Sequence, residues 1–146
     1  MKTAYIPLIM VTLSMLLMGC LENIDEVMDP DLSIRVERTW NEEKNDEGQE
    51  PLTDSTWTYM TVNITSHNED HSHPMDIYQF YSRDTTGQWH WCRGPEDRRE
   101  ISIGPRDSIS LDIYFEVPKG RTLERLEYRR TATDPISCPV PGFISV

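Results

Sequence analysis

Cys20 is the residue whose surroundings most directly specify chemistry. It follows Leu17-Met18-Gly19 at the end of an apolar run over residues 4–18, broken only by Tyr5, Pro7, Thr12 and Ser14, with Lys2 as the positive charge ahead of it. A basic start, a short apolar stretch and a small residue before the cut are the parts of a secretory signal. A cysteine directly after the cut supplies a thiol that can take a diacylglyceryl group. The run is short for a membrane span, which needs roughly 20 apolar residues. Residues 1–19 are therefore read as a lipoprotein signal peptide and Cys20 as the lipidation site. Two acyl chains then hold the mature chain on the membrane, at roughly 0.8 kcal/mol per buried CH₂.

A second group able to do chemistry is His67-Asn68-Glu69-Asp70-His71-Ser72-His73-Pro74, which carries three of the four histidines. Imidazoles suit Zn²⁺, Cu²⁺ and Ni²⁺, and His71 and His73, two apart in extended chain, can project to one side. Met75 adds a soft ligand for Cu(I), and His90 a fourth ligand if its strand lies beside this loop. A solvated connection between strands is the plainer reading of the same residues. The acidic stretch of Glu42, Glu43, Asp46, Glu47 and Glu50 lacks the ligand register of a calcium loop and reads as solvated.

Trp89 and Trp91, with Tyr78, Phe80 and Tyr81 just upstream, place aromatic rings across a hairpin. Exposed, Trp89, Trp91 and Tyr81 would stack on sugars or anchor a protein partner. Buried, they would be cross-strand core packing. Once Cys20 is lipidated, Cys92 and Cys138 remain as an even pair, and outside the cytosol that predicts a disulfide. Closing a loop of about 45 residues would stabilise the fold by up to about 4 kcal/mol. Two buried thiols are the alternative.

No G-x-S-x-G, phosphate-cradling glycine loop or H-E-x-x-H occurs, and only seven glycines are present. The expectation is a protein that is not an enzyme and carries no cofactor. The formal net charge is −11, and −12 without Lys2, the one charged residue of the signal segment. Such acidity argues against nucleic acid and against adsorption to anionic lipid headgroups.

These groups must be positioned by strands. Residues 20–31 read as the lipidated Cys and an acidic tether. From residue 32 the pattern has a period of two: Leu32, Ile34 and Val36, then Met60, Val62 and Ile64, then Ile109, Leu111, Ile113 and Phe115 alternate with polar residues. Shorter runs at 76–83, 88–92, 100–103, 122–131 and 136–146 complete the set, with Asp84-Thr85-Thr86-Gly87 as a hairpin turn. About seven or eight strands at this spacing, with no amphipathic helix, predict an all-β sandwich over residues 32–146.

Three pieces carry a family resemblance: Tyr59-Met60-Thr61-Val62-Asn63-Ile64 leading to Asn68; Tyr78-Gln79-Phe80 followed by Asp84, Gly87 and Trp89; and the turn at Gly104 leading to Ile113-Tyr114-Phe115-Glu116-Val117-Pro118. In this order they resemble the immunoglobulin-like domain of bacterial and archaeal surface lipoproteins, a family of unknown function, over about residues 32–130. The resemblance implies a lipid-anchored antiparallel β-sandwich with no catalytic residues to carry over. The His-rich loop and the cysteine pair stand outside that pattern. The expected role is an extracytoplasmic binding module at the cell membrane or surface, anchored by lipid, with an envelope protein or glycan as partner. The alternative is a metal-handling (Zn/Cu) lipoprotein using His67, His71 and His73.

Overall fold

The computed structural model describes residues 31–130 and 134–141. The signal segment, Cys20 and all but the last residue of the tether lie outside the described residues. Alternation of apolar and polar side chains produces nine strands among the described residues: β1 (Leu32–Glu42), β2 (Ser55–Ser66), β3 (His73–Asp76), β4 (Phe80–Asp84), β5 (Trp89–Trp91), β6 (Glu100–Ile103), β7 (Ser108–Pro118), β8 (Leu123–Tyr128) and β9 (Ile136–Pro139). One sheet has the order β1-β2-β7, a second β5-β4-β8-β9, and β3 and β6 form a two-stranded ribbon. The first two strands pair with each other and with a late strand, while middle and last strands make the facing sheet. That is the strand order of an immunoglobulin-like sandwich, and the fold is all-β as the periodicity predicts.

Register explains why the sheets stick together. β2 pairs with β7 so that Met60, Val62 and Ile64 stand opposite Ile113, Leu111 and Ile109. These residues meet Phe80, Leu123, Leu126, Tyr128 and Ile136 from the other sheet in one apolar core. Each fully buried side chain of this kind contributes about 1.5–3 kcal/mol by leaving water.

Three local departures from simple alternation shape the surface of the sandwich. A bulge between Val36 and Arg38 shifts the β1–β2 register, so Leu32, Ile34 and Val36 face inward while Arg38 and Trp40 turn outward. The run expected as one strand over 76–83 is broken by a 3₁₀ turn at Ile77–Gln79, where the Asp76 side chain accepts from the backbone N–H of Tyr78. Finally, the acidic loop between β1 and β2 is not merely solvated. Asn45 is buried and takes the N–H groups of Glu47 and Gln49 on its side-chain oxygen. The fold of that loop brings Asp46 and the Gln49 carbonyl onto the outer face of β2.

There a second small core forms from Trp57, Tyr59 and Tyr114, with Trp40 packed beside it. The indole N–H of Trp57 donates to the Gln49 carbonyl at 2.9 Å, and the Tyr59 hydroxyl donates to Asp46 at 3.1 Å. β2, expected to be half-buried, is therefore covered on both faces. Burial, the hydrogen bond to Asp46 and the charge of that carboxylate raise the Tyr59 pKa well above its ordinary value. Burial, then the carboxylates of Glu47 and Asp46, push Tyr114 up to about 12.

Candidate functional site

The chain from Phe80 to Trp91 forms a hairpin whose turn is built around one carboxylate. Asp84 is fully buried. Its side chain accepts from the N–H and hydroxyl of Thr86, at 2.8 and 2.5 Å, and from the N–H of Gln88 at 3.2 Å. It also accepts from Arg121 at 3.2 Å and from Nε2 of His90 at 2.8 Å. Burial alone would raise the Asp84 pKa, but the hydrogen bonds from Thr86, His90 and Gln88 outweigh it and hold the group well below the usual carboxylate range. An ionised carboxylate only accepts, so the shared hydrogen lies on His90. Gly87, at a φ of 90°, takes the left-handed position that closes the turn.

With the turn held this way, the pleat sorts the aromatic residues. Phe80, Ser82 and His90 face inward and are buried; Tyr81, Arg83, Trp89 and Trp91 face outward. Tyr81 and Trp89 are half-buried, and Trp91 is 57% exposed. Tyr81 stands directly opposite Trp91, and Arg83 opposite Trp89. Tyr81, Trp89 and Trp91 thus come together on the outer face of the second sheet, not in its core.

Arginines interleave with these rings, a feature that sequence reasoning missed. The Arg129 guanidinium lies 3.9 Å from the Tyr81 ring centre and 4.8 Å from that of Trp89. Arg83 lies 5.6 Å from Trp89, and Arg93 lies 5.3 Å from Trp91. Glu124 holds Nε of Arg83 at 2.9 Å and Glu127 holds Nε of Arg129 at 3.0 Å. The signal was present in Tyr81-Ser82-Arg83 and Trp91-Cys92-Arg93, since residues two apart on a strand share a face. Beside Trp91, a cleft of about 220 Å³ opens between β5 and the end of β7, lined by Gln88, Arg93, Ser55, Glu116 and Pro118.

The histidines are not gathered. His67 shares a hydrogen bond with Ser33 at 3.0 Å, and His71 is exposed. His73 lies on β3 with Nε2 buried and without a hydrogen-bond partner. Met75 is part of the apolar core, and His90 is turned inward to Asp84. Among the described residues no three His, Cys, Asp or Glu side chains converge as a metal site would require.

The expected Cys92–Cys138 disulfide is corrected by the topology: no disulfide joins these two buried residues. The Cys92 N–H bonds to the Phe80 carbonyl, Phe80 pairs with Tyr128, and Tyr128 pairs with Ile136, two residues before Cys138. Both thiols sit on the inner face of one sheet but at its opposite edges. Three strand spacings separate them by about 14 Å, whereas a disulfide requires Cα atoms within about 7 Å. Burial pushes the Cys92 thiol up to about 12, so it is held as an unreactive thiol.

No protein-family model matches the chain, and no curated protein matches it. Among solved structures it is similar to YcdA of Bacillus subtilis, a candidate lipoprotein, at 16% identity and a TM-score of 0.62 over 81% of this chain. The chain spans only 38% of the length of that protein. It is also similar to the secreted protein MPT63 of Mycobacterium tuberculosis, at 16% identity and a TM-score of 0.51, over 77% of this chain and 88% of the other. At these identities the likeness is one of fold.

Proposed function

We propose that this chain is a cell-envelope lipoprotein. Residues 1–19 direct export, Cys20 carries the lipid, residues 20–31 are the tether, and the sandwich is an extracytoplasmic binding module that is not an enzyme. This reading groups the chain with the immunoglobulin-like surface lipoproteins that its three motifs resemble. A fold shared with a candidate lipoprotein and a secreted protein supports the location. The observation that carries the binding role is the outward display of Tyr81, Trp89 and Trp91 on a rigid sheet. Leaving the Trp91 ring largely in water forgoes up to about 1.5–3 kcal/mol that full burial would supply, and aromatic groups displayed at the surface mark recognition sites.

The test is retention of fragmented envelope, wall glycan and membrane protein together, by the immobilised full-length chain in detergent. Trp91→Ala with Tyr81→Ala should reduce retention at least tenfold, while Leu52→Ala, at the other large exposed apolar side chain among the described residues, should leave it unchanged. Equal retention by all three proteins would remove the aromatic face as the binding surface.

A further inference from the structure

We infer that the outer face of β5, β4 and β8 recognises an acidic glycan, a chain of sugar rings bearing carboxylate or sulfate groups. The inference rests on the binding role of that face and names its ligand.

Charge comes first. In a chain with a net charge of −11, this face carries Arg83, Arg93, Arg125 and Arg129 against Glu124 and Glu127, with Glu116 at its rim beside Trp91. Arg83 and Arg125 stand directly opposite each other across β4 and β8, which sets two guanidinium-bearing side chains side by side on this face. A face of this sign attracts an anion more strongly than the net acidity of the chain would suggest.

Geometry then selects the kind of anion. Glu124 and Glu127 hold Arg83 and Arg129 by Nε, and these side chains remain 39% and 41% exposed. A guanidinium held at Nε beside an aromatic ring leaves its terminal nitrogens as a pair of donors. Such a fork matches carboxylate, sulfate or phosphate oxygens, with little rotamer entropy left to lose.

The surroundings of Trp91 favour sugar over peptide. A protein anchor normally sits inside an apolar patch; Trp91 has Tyr81, Trp89 and Pro118 as apolar neighbours but Arg93, Gln88 and Glu116 as well. A sugar presents C–H groups to an aromatic face and hydroxyls around its rim, which suits an indole with planar hydrogen-bonding groups beside it. Trp89 and Trp91 lie two residues apart on one strand face, about 7 Å. A chain of rings seated on Trp91 can therefore run along the strand toward Trp89 and its arginines, with acidic groups reaching Arg93 and Arg129.

The experiment is calorimetric titration of the full-length chain in detergent micelles with defined polymers. The probes are polygalacturonate, dextran sulfate, neutral dextran, poly-glutamate and oligodeoxythymidylate. One or both acidic polysaccharides should bind at least tenfold more tightly than the other three, and the tighter of the two identifies carboxylate or sulfate. Trp91→Ala and Arg93→Gln, both at exposed side chains, should each weaken that binding at least fivefold, and raised salt should weaken it further. Poly-glutamate or oligodeoxythymidylate binding as tightly as the acidic sugars would overturn the glycan assignment, as would preference for neutral dextran. If neither acidic polysaccharide binds while envelope retention still depends on Trp91 and Tyr81, the ligand class falls and the binding face stands. If retention is also indifferent to those residues, both fall.

Discussion

Replacing Asp84 should unfasten the hairpin that presents the aromatic face. The carboxylate is fully buried and takes hydrogen bonds from Thr86, Gln88, His90 and Arg121. Asp84→Ala leaves the Arg121 guanidinium and a buried imidazole facing a void. Breaking a buried charged pair from one side costs about 3–5 kcal/mol. Because Arg121 is one-third exposed and also bonds Gln88, the cost here falls toward the low end. The turn N–H groups lie near water and recover part of their loss, which places the expected destabilisation at about 3–4 kcal/mol. Asp84→Asn keeps the oxygen that Thr86 and Gln88 use but turns an amide donor toward other donors. Losing two charge-assisted hydrogen bonds at about 1.5 kcal/mol or slightly less each predicts about 2–3 kcal/mol. The pH dependence has a definite sign. The folded-state pKa is depressed, so the stabilisation is fully present above the unfolded value of about 4 and is lost as pH falls below it. Urea unfolding followed by tryptophan fluorescence, at pH 7 and at pH 3, measures both effects. The wild type should lose more stability between those pH values than Asp84→Asn. A loss under 1 kcal/mol for Asp84→Ala, or equal acid sensitivity in wild type and Asp84→Asn, would refute the role assigned to this carboxylate.

Gly94→Ala should destabilise by about 1–3 kcal/mol through overpacking, because a Cβ there would lie 2.3 Å from the Tyr114 hydroxyl oxygen; Tyr114→Leu in the same chain should recover part of the loss in urea titrations. Dithiothreitol should leave the Tm unchanged, and iodoacetamide should label Cys92 only after denaturation, since this thiol is buried and raised in pKa. An intact-mass decrease of two hydrogens that disappears on reduction would contradict this. Cys20→Ser should abolish incorporation of an alkyne-tagged fatty acid and shift the chain out of the membrane fraction, whereas unchanged fractionation would point to some other attachment. Tyr59→Phe should lower stability by about 0.5–1.5 kcal/mol in urea unfolding, through loss of its bond to Asp46.

Some of this protein is legible one strand at a time. The runs through Val62, Ile113 and Leu126 alternate with period two, and period two is a local property of the backbone. It shows which side chains share a face before any partner strand is known, so the sandwich and its core followed from the residues alone. The same rule placed Trp89 and Trp91 together. What alternation leaves open is which face meets the other sheet and which meets water. For Tyr81 and Trp91 that was decided by Phe80, Ser82 and His90 turning inward, the last held by Asp84. Local pattern also misled where a single residue changed the register or the topology. The bulge after Val36 sends Trp40 outward, and the acidic loop that looked solvated becomes a cover because Trp57, Tyr59 and Tyr114 need one. The cysteine pair is the clearest case. Even number and exported context predict a bridge, but strand order places Cys92 and Cys138 at opposite edges of one sheet, three spacings apart. Sequence determines what each strand presents to either side, because that depends on neighbours along the chain. Distance between strands depends on how the sheets assemble, and only the tertiary structure decides it.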